Sequence, residues 1–318
     1  MTRAVLVVNA AKADAAQIEA LRRETVAAFA AVGWPEPGLL LTTRQNPGGR
    51  QARAALSDGA RLVVACGGDG TVNAVAEALA ETGIPLGIIP LGTGNLLAAN
   101  LEIPTTVGGA LEVLTTGVDR PIDLGRSGGR VFAAIAGFGL DATMVADAPA
   151  WLKKRVGWPA YLVSIARHLG DRGIRVNLEL DGRRVRRAGV RTLLIGNVGR
   201  VHGGLDLLPQ AEPDDGLLDV VVLAPRGRVF GWLTVLTRLL TRSDRHTDTV
   251  SRYRARHIVA RTRRPVDREL DGEPLVRASI LEAKVSPSAL LVRVPHGQDP
   301  HSSAVTADST GLKELSVP

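Results

Sequence analysis

Two glycine-rich segments constrain the fold of this chain most strongly, because each follows a short apolar run and precedes a stretch with helical spacing. The first spans residues 67–71 (Gly-Gly-Asp-Gly-Thr) and the second spans residues 90–95 (Pro-Leu-Gly-Thr-Gly-Asn). Continuous apolar strands that alternate with amphipathic helices are typical of a parallel sheet covered on both faces. The first part of the chain is therefore predicted to be an α/β domain of this kind.

The apolar spacing also predicts the individual elements. In the first part, strands are expected at 4–8, 39–43, 61–65 and 86–89, and helices at 14–32, at 51–56 and after each glycine segment. Beyond about residue 120 the runs become short and are bounded by Gly, Asp or Pro. Strands are expected there at 131–135, 174–180, 184–190, 191–195, 218–223, 257–261 and 290–294, with helical pieces near 160–169 and 229–241.

These patterns predict three regions. Residues 1–122 are expected to form the α/β domain, and residues 123–295 a mainly antiparallel β-sandwich with Asp181-Gly182 as a hairpin turn. The polar residues 296–318 are expected to be a disordered tail. The chain carries a single cysteine and shows neither a secretory signal nor an unbroken apolar span, so it is predicted to be soluble and cytoplasmic.

The formal net charge of +7 is compatible with nucleic acid, an anionic membrane, phosphorylated small molecules or a basic surface without a partner. Much of the excess lies in segments 172–191 and 252–268, which have few aromatic residues for stacking and no zinc-finger pattern. Nucleic acid is therefore disfavoured as a partner.

Glycine loops after buried strands allow backbone N–H groups to approach an anion, and the helix that follows presents its positive end to phosphate. Two such loops on neighbouring parallel strands form a crevice at the carboxyl edge of the sheet. Carboxylates follow later in the chain: Asp214, Asp215 and Asp219 could bind magnesium or form an ordinary acidic turn, and Asp271 and Glu273 flank Gly272.

Together these motifs resemble the catalytic domain of diacylglycerol kinases and of the bacterial lipid kinases and sphingosine or ceramide kinases related to them. Three further segments follow the two glycine segments in the order of the family. Residues 196–204 and 209–219 resemble its glycine segment and metal-binding loop, and residues 270–274 (Leu-Asp-Gly-Glu-Pro) resemble its catalytic segment. The resemblance implies Mg²⁺-dependent transfer from ATP to a lipid hydroxyl, most simply diacylglycerol to phosphatidic acid. Other lipids, NAD as acceptor, or a lipid- or nucleotide-binding regulator with weakened catalysis stay open as alternatives.

The resemblance also assigns roles to residues. Asp271 is implied as the base with Glu273 supporting it, and Asp215 with the Leu217 carbonyl is implied as the magnesium site. The implied nucleotide-binding set is Asn9, Thr43, Gly67, Gly68, Asp69, Gly70, Thr71, Gly92, Thr93 and Asn95. Three positions depart from the family pattern: Ala74 after Asn73, Leu96 after Asn95, and the segment 9–12 after the first strand.

A lipid kinase must reach its acceptor at a bilayer surface. Two segments, 151–158 and 229–242, combine tryptophan and leucine with cations and predict peripheral contact with the inner membrane face, although helices packed on the sandwich explain them equally well. A homodimer is left open.

Overall fold

The computed structural model describes residues 3–43, 45–139, 173–200, 207–225 and 249–297. The helices within these ranges are α1 Ala15–Ala31, α2 Gly49–Ser57, α3 Asp69–Leu79, α4 Leu96–Asn100 and α5 Val107–Thr116. The strands are β1 Ala4–Val8, β2 Gly38–Leu41, β3 Leu62–Gly67, β4 Leu86–Pro90, β5 Val118–Ser127, β6 Arg130–Phe132, β7 Ile135–Gly139, β8 Ile174–Leu180, β9 Arg183–Val190, β10 Thr192–Gly196, β11 Leu218–Leu223, β12 Val250–Ala255, β13 His257–Leu270 and β14 Glu273–Val294.

The first part of the chain is a parallel sheet in the order β4-β3-β1-β2. β1, β3 and β4 are buried on both faces, whereas β2 is partly exposed. Val5 and Val7 of β1 pack in the cluster that contains α2 and α3, and Leu6 and Val8 pack in the cluster that contains α1 and α5. Two-sided burial explains the continuous apolar runs of the sequence. The predicted parallel α/β domain is confirmed.

The second part is mainly antiparallel, with the order β12-β11-β10-β7-β13-β14 and with β8 and β9 attached to β13. β14 also pairs antiparallel with β5 and runs parallel to β4 at Val292 and Leu86, so the strands of both parts form one continuous sheet. The predicted change to antiparallel β structure is confirmed. The predicted boundary near residue 122 lies inside β5 and stays a prediction.

Several C-terminal strands differ from the sequence-based expectation. The expected run 257–261 extends to Leu270, and the run 290–294 is the end of a 22-residue strand that begins at Glu273. The predicted strand 131–135 is divided between β6 and β7, and β7 continues to Gly139. The strands β5 and β12 were not predicted either. Their sequences are rich in Arg, Asp or Pro, and only pairing with neighbouring strands makes such segments β structure. Asp181-Gly182 is a hairpin turn as predicted, since both residues have positive φ angles (49° and 83°).

No helix in the described ranges is both long and apolar enough to cross a membrane. The expected helical pieces near 160–169 and 229–241, the candidate membrane segments 151–158 and 229–242, and all of the tail except its first two residues lie outside the described residues.

Candidate functional site

The first glycine loop joins β3 to α3 and is braced by the end of β1. The side-chain amide of Asn9 donates to the Thr71 hydroxyl at 2.8 Å. A Cβ atom at Gly67 would lie 2.8 Å from the Thr71 Cβ, which is closer than real contacts, so glycine is required here by its surroundings. The side-chain oxygen of Asn9 also accepts a hydrogen bond from the backbone N–H of Ala11. This bond stabilises the turn at residues 9–12, where the sequence departs from the family pattern.

The second glycine loop lies directly against the first. The backbone N–H of Leu91 donates to the Gly67 carbonyl at 2.8 Å, and a Cβ atom at Gly92 would lie 2.6 Å from the Gly68 Cα. The two loops therefore meet backbone to backbone at the carboxyl edge of the parallel sheet, where ligands of such folds bind. The predicted pairing of the two loops is thus what the structure shows.

Asp69 joins the loops through its side chain. Its carboxylate accepts from the backbone N–H groups of Asn95 (2.9 Å) and Leu96 (2.5 Å), more than 25 residues away. Charge-assisted bonds to two amides fix the second loop relative to the first. Because the contact uses the backbone of Leu96, the departure from the family pattern at this position leaves the contact intact.

Asp271 occupies the turn between β13 and β14 and is 8% exposed. Its carboxylate accepts from three consecutive backbone N–H groups, those of Ala133, Ala134 and Ile135, at 2.7–2.9 Å. Burial raises the pKa of Asp271 to about 6 against the opposing effect of these hydrogen bonds, and the charge of Asp69 contributes in the same direction as burial. The first loop and this carboxylate are therefore electrostatically coupled across the two parts of the chain.

Glu273 faces the first loop from the other side of the same turn. Its Oε1 lies 3.7 Å from the position of a Cβ on Gly70, and its Oε2 accepts from Arg130 Nη2 at 2.7 Å. Arg130 follows the Gly128-Gly129 turn and was not singled out from the sequence. That glycine pair could have indicated a hairpin, but nothing in the sequence connects Arg130 to a glutamate 143 residues away.

The acidic turn between residues 213 and 219 is held by arginines. Asp214 pairs with Arg120 at 2.7 Å. Arg254 pairs with Asp215 and lies 3.4 Å from Asp219, whose pKa is raised to about 7, chiefly by burial. The Asp215 carboxylate also accepts from the Leu217 N–H at 2.9 Å.

Asp123 connects this turn to the sheet and was also missed from the sequence. It is 1% exposed, and its carboxylate accepts from the N–H groups of Gly216 (2.6 Å) and Ser288 (2.7 Å). The side-chain amide of Asn197 donates to the Asp123 carbonyl at 2.7 Å, and the Asn197 N–H donates to Ala134 in the segment that binds Asp271. The acidic turn and the Asp271 segment are thus linked through Asp123 and Asn197.

The donors around the acidic turn fit magnesium by their chemistry. Hard oxygen ligands suit this ion, which takes one or two carboxylates and fills the remaining positions with water and phosphate. In this structure the Asp215 carboxylate is paired with a cation, the guanidinium group of Arg254. Within the described ranges no group of three or more His, Cys, Asp or Glu side chains is arranged to hold a metal. Asp215 and Leu217 therefore stay a prediction.

The remaining predicted residues lie at the same edge of the sheet. Thr43 follows β2 and closes a turn with Asn46, whose N–H donates to the Thr43 hydroxyl at 3.2 Å. Thr93 is exposed at the tip of the second loop, and Asn95 is buried, its Oδ1 without a hydrogen-bond partner among the described residues. Gly203 and Gly204 lie outside the described residues.

Comparison with known proteins places the two parts in two families. Residues 3–127 match the diacylglycerol kinase catalytic domain, and residues 133–294 match the YegS C-terminal NAD kinase beta sandwich-like domain. A probable lipid kinase YegS-like protein of Pseudomonas syringae pv. syringae (strain B728a) is 35% identical over 277 residues, which cover 86% of this chain and 88% of the relative.

Solved structures share the fold. One from Bacillus anthracis str. Sterne covers 92% of this chain and 98% of its own, with a TM-score of 0.75 and 23% identity. A second, of a diacylglycerol kinase from the same organism, covers 92% and 97%, with a TM-score of 0.71 and 20% identity.

Proposed function

Because the chain belongs to the family of lipid kinases that join a diacylglycerol kinase catalytic domain to a YegS-type C-terminal domain, we propose that it transfers a phosphoryl group from ATP to the hydroxyl of diacylglycerol. The observation that carries the proposal is the position of Asp271, a buried carboxylate in the turn before Glu273, whose Oε1 lies 3.7 Å from the position of a Cβ atom on Gly70 of the first glycine loop. A phosphate site and a base are what phosphoryl transfer to an alcohol requires.

Asp271 acts as the base that accepts the proton of the lipid hydroxyl. A carboxylate offers about four lone-pair positions, and the three backbone N–H groups occupy three of them. One position is left for the hydroxyl. A pKa near 6 leaves the group ionised at neutral pH yet basic enough to take the proton in the transition state.

The glycine loops bind the phosphates of ATP through backbone N–H groups at the start of α3. Gly68 and Gly92 allow the two loops to pack backbone to backbone, and Thr93 is exposed beside them. The ion pair between Glu273 and Arg130 holds the Asp271 turn beside Gly70 of the first loop. A bound Mg²⁺ would be held by Asp215 and the Leu217 carbonyl and would neutralise phosphate charge.

The test is transfer from labelled ATP to a panel of diacylglycerol, sphingosine, ceramide and NAD, each dispersed or dissolved under the same conditions. We expect labelled phosphatidic acid from diacylglycerol and little product from the others. Product from sphingosine or ceramide alone would move the acceptor to a sphingoid lipid. Product from NAD alone would contradict lipid phosphorylation altogether.

The rate is expected to depend on pH through Asp271. The base works only when ionised, and its raised pKa means that protonation begins near pH 6 on acidification. We expect kcat/KM to fall about tenfold per pH unit below about pH 6 and to level off above it, because kcat/KM reports the pKa of the base in the free enzyme. The measurement is kcat/KM with both substrates below saturation, accompanied by thermal unfolding at each pH. A flat profile down to about pH 4.5 in folded protein would exclude Asp271 as the base.

We propose that the protein is cytoplasmic and acts at the inner face of the membrane. The one cysteine, Cys66, is buried, and burial raises the pKa of its thiol, so it stays unreactive in a reducing compartment. Diacylglycerol resides in the bilayer, so contact with the membrane has to be transient and peripheral.

A further inference from the structure

A row of exposed side chains crosses four strands of the C-terminal sheet. Asn177 of β8 is paired with Arg186 of β9 and with Arg261 of β13, and Arg261 is paired with Ile280 of β14. Directly paired residues of antiparallel strands project from the same side of a sheet. All four side chains are exposed, and Ile280 is 41% exposed. The opposite side of β8 carries the buried core of this domain.

Positive charge dominates this side of the sheet. Arg175 and Arg184 lie two residues from members of the row and share its side, and we call the row with these two residues the arginine face. Among the parts of the chain that the structure describes, the side chains of Arg175, Arg186 and Arg261 form neither a hydrogen bond nor an ion pair. The acidic residues beside the arginine face are already paired, Glu179 with Arg184 and Glu282 with His257.

Protection of a sheet edge explains only part of this pattern. β9 pairs with β8 alone in the described strands, and charges on such an edge prevent pairing with other chains. Arg261, however, lies on β13 between β8 and β14, where no edge is exposed. Edge protection therefore does not account for Arg261 or for the exposed Ile280 beside it.

We propose that the arginine face docks on the anionic headgroups of a lipid bilayer. Guanidinium groups bind phosphate in a bidentate way, and an apolar side chain among them enters the interface. β13 leads into the Asp271 turn, and β14 begins after this turn at Glu273. Val276, which is 84% exposed, lies on β14 between Glu273 and Ile280. Docking here would bring the Asp271 turn towards the lipid. This inference rests on the proposed function, since it supplies the surface where the acceptor is found.

The test is co-sedimentation of the full chain with vesicles of phosphatidylcholine alone or mixed with phosphatidylglycerol. The variant carries Arg186→Gln and Arg261→Gln, and the control carries Arg23→Gln and Arg61→Gln, two exposed arginines of the parallel part. Each arginine near an anionic surface contributes about 1 kcal/mol, so two replacements are expected to weaken binding about 30-fold at low salt. The control should bind like the unaltered chain, and added salt should release both.

Transfer to diacylglycerol in neutral detergent micelles is measured beside it and should be equal in all three proteins. The docking surface would be overturned if the Arg186/Arg261 variant bound the vesicles as well as the control does. It would also be overturned if the unaltered chain bound vesicles of phosphatidylcholine alone as well as vesicles that contain phosphatidylglycerol. Absence of transfer in every protein, with the difference in vesicle binding retained, would overturn the proposed kinase and leave the docking surface standing.

Discussion

Replacement of Asp271 by Asn is expected to lower kcat by about 10² to 10⁴-fold, the usual contribution of a general base. Asparagine keeps the size of the side chain but cannot accept the proton of the lipid hydroxyl at neutral pH. Its amide also places a donor among the N–H groups that now bind the carboxylate. The KM for ATP should change much less than kcat, because Asp271 does not hold the nucleotide in the proposed site.

Asp181 provides a matched control for this variant. It too is an Asp-Gly hairpin turn with positive φ (49° against 47°), and its carboxylate accepts from the N–H groups of Arg256 and His257. Asp181→Asn therefore tests the loss of the same turn contacts away from the glycine loops. It should retain full activity, and thermal unfolding should show that both variants are folded. Transfer undiminished in Asp271→Asn would overturn the assignment of the base.

Replacement of Asp69 by Asn is expected to weaken nucleotide binding by about 100-fold. The variant loses the negative charge that accepts the hydrogen bonds from the N–H groups of Asn95 and Leu96, and hydrogen bonds to a charged group contribute about 1.5–3 kcal/mol each. The side-chain NH₂ group of asparagine is a donor, so it cannot bond to the N–H group that it faces. The second loop then loses its fixed position against Gly68. The measurement is ATP binding by calorimetry, followed by kcat/KM for ATP.

The control for this variant is Asp58→Asn, because Asp58 is exposed at the end of α2 and its side chain makes no hydrogen bond within the described residues. It should bind ATP like the unaltered chain. ATP affinity unchanged in Asp69→Asn would show that the clamp between the loops does not support nucleotide binding. The same variant should also lower the pKa of Asp271, since the charge of Asp69 helps to raise it, and the acid limb of the pH profile should move accordingly.

The sequence alone determined the local parts of this protein. Continuous apolar strands identified the parallel sheet because both of its faces are covered, and the glycine loops stood out because a phosphate and a close backbone contact both exclude a side chain. The strands β5 and β12 and the larger parts of β13 and β14 were not recognised, because their conformation depends on the neighbouring strands and not on their own pattern.

What only the tertiary structure decided is the role of residues that look alike in the sequence. Asp181-Gly182 and Asp271-Gly272 are both hairpin turns, with nearly equal φ angles (49° and 83° against 47° and 81°). The second turn alone is buried against residues 133–135 and electrostatically coupled to Asp69, and this environment raises its pKa. Partners such as Arg130, Asp123 and the amides that hold Asp271 come from more than 90 residues away. Burial and distant hydrogen bonds are properties of the folded chain, and no local pattern encodes them.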